Sequence, residues 1–67
     1  MYSEEHMDNI LSKILYIWKK HPTMELGRLI DNATSGSELQ FIEDEELIKN
    51  LERRYLPREE WDLKWNN

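Results

Sequence analysis

The sequence predicts an all-α fold: a small three-helix domain with a short fourth helix at its C-terminal end. Two observations carry this. Apolar residues recur at helical spacing in three separate stripes. The stripes are divided by breaking chemistry at Pro22, at Thr34-Ser35-Gly36-Ser37 and at Leu56-Pro57, with residues that start or stop helices on either side.

The first helix is expected over residues 4–20. Met7, Ile10, Leu11, Ile14, Ile17 and Trp18 share one face, while Asp8, Ser12, Lys13, Tyr16 and Lys20 lie off it. Ser3 is placed to cap the N-terminus with Glu4 and Glu5 in the first turn, and Lys19, Lys20 and His21 bring positive charge to the other end. Pro22 disfavours helical geometry at His21, so the helix should stop there. A shorter helix is expected over 24–33, with Thr23 as N-cap and Leu26, Leu29, Ile30 and Ala33 as its buried row. Gly27 interrupts it at a cost of roughly 0.5–1 kcal/mol relative to alanine, which suggests close approach to the first helix, with tolerated weakness as the alternative. Gly36 suits a left-handed cap in the turn that follows.

The stretch Phe41-Ile42-Glu43-Asp44-Glu45-Glu46-Leu47 fixes the next boundary. One helix running from Glu38 to Tyr55 would place Asp44 and Glu45 on the rows of Phe41 and Ile48 and bury carboxylates, so the helix must break. A short extended or one-turn segment is expected to tuck Leu39, Phe41 or Ile42 into the core. Asp44 then caps a third helix over 44–55 that buries Leu47, Ile48, Leu51 and Tyr55. Pro57 can open a short helix over 58–65, with Trp61 and Trp65 one turn apart. These two tryptophans should dock either on the helical core or on a second copy of the chain, giving a homodimer. The organisation expected is a helical core over 1–56 and a tail or docking helix over 57–67.

Composition narrows function. At 67 residues and 8.2 kDa there is room for one domain, near the size where only about 60% of the unfolded surface can be buried. The absence of cysteine removes disulfides and zinc-thiolate sites and fits a cytoplasmic protein. Residues 1–5 carry acid where a secretory signal carries base, and the longest apolar run, Ile14-Leu15-Tyr16-Ile17-Trp18, is too short to cross a membrane. A net charge of −5 and a pI near 4.9 oppose non-specific attraction to phosphate backbones.

No catalytic constellation is legible. His6 and His21 stand at opposite ends of the first helix, roughly 22 Å apart at 1.5 Å per residue, too far to share a metal or a proton, and each reads as an ordinary surface or capping histidine. Phosphate-loop, zinc-protease, nucleophile-elbow and calcium-loop patterns are all missing. The expectation is therefore no enzyme, no metal and no cofactor. A helix-turn-helix reading would insert Glu43, Asp44, Glu45 and Glu46 toward DNA, against their charge, and the connection from Ala33 to Glu43 is too long for that motif.

Leu26-Gly27-Arg28-Leu29-Ile30 with Asn32, followed by Phe41 leading into Glu43-Asp44-Glu45-Glu46-Leu47, resembles a family of short, uncharacterised bacterial and phage proteins. These carry Leu-Gly-x-Leu-Ile after a Trp-containing first helix, then an aromatic residue before Glu-Asp-x-Glu-Leu. The likeness spans residues 14–51 and includes Trp18, Pro22 and Gly27; Arg28 replaces a more usual Gln and Gln40 an aromatic. It implies a small helical domain and carries over no active-site residue. The function expected is a protein-interaction module, phage-derived and acting on a host protein through Glu43, Asp44, Glu45 and Glu46 or through Trp61 and Trp65. The alternative is a small dimeric regulatory DNA-associated protein.

Overall fold

The computed structural model describes residues 2–34 and 38–61, which form helices α1 (Glu4–Lys19), α2 (Leu26–Thr34) and α3 (Asp44–Tyr55). One-turn 3₁₀ segments at Leu39–Phe41 and Arg58–Glu60 precede and follow α3, and no strand occurs among the described residues. The all-α expectation holds. α3 is the element on which the others rest, packing against α1, α2 and the second 3₁₀ turn. The core where they meet is Ile17 from α1, Leu29 and Ala33 from α2, Ile48 and Leu51 from α3, and Leu56 just beyond it. Ile10, Ile14, Trp18, Met24, Leu26, Leu47, Tyr55 and Trp61 pack partly buried around it.

α1 begins as its capping chemistry dictates: Ser3 is extended and its Oγ accepts from the His6 N–H at 3.1 Å. The helix ends at Lys19, and the chain turns through Pro22 with the Trp18 indole N–H donating to the Met24 carbonyl at 2.7 Å. This bond fixes the orientation of Trp18 over the connection. His21 lies half-buried against Tyr55, ring centroids 4.9 Å apart, and its Nε2 is buried without a hydrogen-bond partner, unlike the surface or capping histidine expected there.

The packed side of α1 differs from the one that the apolar spacing indicates. Met7 is 47% exposed, Leu11 63% and Leu15 48%, while Lys13 and Tyr16 face neighbouring elements. The helix is turned by roughly a fifth of a turn from the centre of its apolar stripe. A row of polar contacts accounts for this. His6, Lys13 and Lys20, spaced by seven, meet Asp44, Glu52 and Glu60 at 3.1, 3.8 and 2.6 Å. Glu52 is 3% exposed, so its carboxylate is buried, and this orientation brings the Lys13 ammonium near it as a counter-charge.

α2 starts at Leu26, three residues after Thr23, so Thr23 is not its cap; the Leu29 N–H bonds instead to the Glu25 carbonyl. Gly27 is exposed, and a Cβ there would meet nothing within 4 Å, which removes close packing as its reason. Gly36 lies outside the described residues. Before α3, Leu39 and Phe41 are exposed at 54% and 76%, and Ile42 alone turns partly inward. Two extended residues, Ile42 and Glu43, separate the 3₁₀ turn from the helix and alternate the side chains in and out. The N-cap is Glu43, with no side-chain cap bond, rather than Asp44, whose Oδ2 is taken by the His6 ring. Beyond Leu56, Pro57 leads into a single 3₁₀ turn at Arg58–Glu60 rather than an α-helix, and Trp61 docks on the core with its indole N–H donating to the Leu56 carbonyl at 3.0 Å. The rest of the expected helix, Trp65 included, lies outside the described residues.

Candidate protein-binding site

The acidic block and the segment leading into it form an elbow over residues 38–46. Its backbone is held locally: the Phe41 N–H donates to the Glu38 carbonyl at 3.0 Å and the Ile42 N–H to the Leu39 carbonyl at 3.2 Å. The Gln40 side chain adds a bond to the Glu38 carboxylate at 2.9 Å. At the far side the Leu47 N–H bonds to the Glu43 carbonyl at 2.9 Å, closing the first turn of α3. Half-buried Ile42 and the His6–Asp44 contact tie the elbow to the rest of the domain.

The four carboxylates of the block therefore divide. Asp44 is partly covered and engaged with His6, whereas Glu43, Glu45 and Glu46 are exposed. Asp44, Glu45 and Glu46 occupy the first turn of α3, where the partial positive charge of the helix terminus offsets their mutual repulsion. Next to them stand Leu39 and Phe41, both more than half exposed. Aromatic and aliphatic side chains rimmed by charge are the composition of an interface anchor. Sequence reasoning located the carboxylates and missed Phe41, which it had placed in a group of core candidates. The signal that could have found it is alternation: if Ile42 points inward across an extended connection, its neighbours point out.

Trp61 is less available than expected, since it is half-buried and hydrogen-bonded within its own domain. It borders a small recess of about 60 Å³ with Lys49, Glu52 and Arg53, far below the volume of a ligand pocket. The turn before it is anchored by Glu60: its Oε1 accepts from the Tyr16 hydroxyl, and its two oxygens, Oε1 and Oε2, accept from Lys20 Nζ, at 2.6 and 2.8 Å respectively. Lys20, then the Tyr16 hydroxyl, hold the Glu60 carboxyl below the usual carboxylate value; Glu60, then Tyr16, raise Lys20 above the ordinary lysine value. This cluster fastens the C-terminal segment to α1.

Among the described residues no group of three or more His, Asp or Glu side chains is arranged to hold a metal ion, and no helix is long and apolar enough to cross a membrane. Compared with family models, with curated proteins and with solved structures, the chain matches none.

Proposed function

We propose that this protein is a small non-enzymatic interaction module that docks a basic, partly apolar protein surface through its elbow. Phe41 is the anchor, Leu39 its neighbour, and Glu43, Glu45 and Glu46 the charged rim. The observation that carries this reading is the 76% exposure of Phe41 beside three exposed carboxylates. Burying such a side chain contributes about 1.5–3 kcal/mol, which the isolated domain forgoes and a partner can recover. Rim carboxylates would speed and orient encounter with a cationic surface. The same charges oppose a phosphate backbone, so the reading favours protein over nucleic acid. The likeness to short bacterial and phage proteins makes a bacterial host protein the proposed partner, and the lack of cysteine suits the cytoplasm.

A photoreactive residue at position 39 of the full chain, introduced in cells of its source, tests this. The expected result is one discrete protein adduct, lost in Phe41→Ala and weakened in Glu45→Lys and Glu46→Lys, whose purified partner binds less tightly as salt is raised. An adduct indifferent to all three changes would overturn the proposal. Salt-dependent retention of the purified protein on DNA would do so as well.

A further inference from the structure

A second exposed apolar surface lies on α1. Met7, Leu11 and Leu15 follow one another at intervals of four along α1, forming a single ridge about 12 Å long at the usual helical rise. The ridge exists because the polar row His6, Lys13 and Lys20 is drawn to its partners on the other elements, rotating these three side chains outward. The charges along α1 are segregated. Glu4 and Glu5 lie in its first turn and Asp8 in its second, while Lys19 lies in its last, all four exposed. On a helix of 3.6 residues per turn, Asp8 and Lys19 fall along the same edge of the ridge, beyond Leu15, and Glu4 lies at the N-terminal end of the ridge, between the angular positions of Leu11 and Leu15.

We propose that the occupant of this ridge is a second copy of the chain, packed with its α1 antiparallel about a two-fold axis near Leu11. In that arrangement Met7 of each copy meets Leu15 of the other and the two Leu11 side chains meet at the axis. Antiparallel pairing brings the same edges and the opposite ends of the two helices together, so Glu4 and Asp8 of each copy face Lys19 of the other. The two helix dipoles also run in opposite directions. A parallel pair would set Met7 on Met7 and leave acidic ends beside acidic ends. The contact is small, so the dimer is weak, with a dissociation constant on the order of 100 μM. Its basis is distinct from the elbow, and Phe41→Ala leaves it unchanged.

Sedimentation equilibrium of the full chain from about 10 μM to about 1 mM, bracketing that constant, tests the proposal. The expected result is a reversible dimer that Leu11→Glu weakens at least about tenfold by opposing two carboxylates at the axis. Leu11 is largely exposed, so the variant should keep its helical circular dichroism. Glu4→Lys and Lys19→Glu should each weaken the dimer severalfold, and the double exchange should restore it toward the parent. Three results would overturn the proposal: a wild-type monomer at about 1 mM, a dimer that survives Leu11→Glu, or a dimer indifferent to the single charge reversals.

Discussion

Replacing Lys13 by methionine probes the contact that sets the rotation of α1. The Glu52 carboxylate is 3% exposed and the Lys13 ammonium lies 3.8 Å away, itself largely covered. With an effective dielectric constant of about 20, two unit charges at that distance attract by about 4 kcal/mol. Part of this is offset, because the lysine is removed rather than buried elsewhere and Glu52 has a further interaction within the domain. A net loss of about 2–3 kcal/mol is expected, somewhat under the 3–5 kcal/mol typical of breaking a buried pair. A domain of this size has roughly 3–10 kcal/mol in total, so the variant should melt much earlier. Urea unfolding followed by tryptophan fluorescence measures this directly, with an unchanged slope showing that the unfolded state is not the source. The double variant Lys13→Met with Glu52→Leu should recover most of the loss, since well-packed apolar residues replace a buried pair without the desolvation cost. A single variant within about 0.5 kcal/mol of the parent would refute the reasoning and leave the rotation of α1 to apolar packing alone.

Gly27→Ala should stabilise by about 0.5 kcal/mol and raise the melting temperature by a few degrees, because the added Cβ meets nothing and the unfolded chain loses freedom; a lower melting temperature would show a hidden contact. Ser3→Ala should cost about 0.5–2 kcal/mol through the lost cap bond to His6, whereas Asp44→Ala, which makes no cap bond, should cost about 0.2–1 kcal/mol; equal losses above 1 kcal/mol in urea unfolding would reject this assignment of roles. The Lys20–Glu60 contact should tilt both flanks of the pH–stability profile. Because the Glu60 value is lowered, its contribution is present above the carboxylate value of 4.5 and fades as pH falls through the lower folded value. Because Lys20 is raised, its contribution is present below 10.5 and fades as pH rises through the higher folded value. Glu60→Gln should flatten both flanks, and denaturation profiles that stay parallel to the parent would count against the contact.

The sequence alone determined the three α-helices and, to within a residue or two, their limits, since these depend on neighbours along the chain. It misplaced the caps of α2 and α3 on Thr23 and Asp44 and expected an α-helix where Arg58–Glu60 forms a single 3₁₀ turn. Ser3 caps, Pro22 stops and the Leu47, Ile48, Leu51 and Tyr55 row buries because spacing of three and four residues fixes a helical face whatever lies opposite. The carboxylates of the candidate site were legible for the same reason, as a charge run at a helix start. Which part of a wide apolar stripe is buried was decided only in three dimensions. Seven apolar residues on α1, Leu15 among them, cover more of the helix than α3 can cover, and the partners of Lys13 and Lys20 lie some forty residues further on. Their pairing left Met7, Leu11 and Leu15 outside. Phe41 is exposed for a related reason: a short connector cannot turn Ile42 inward and Phe41 with it, and the choice between them belongs to the space left by α1, α2 and α3. Local spacing sets what an element is, while the charges and volumes brought to it from distant sequence set which way it faces.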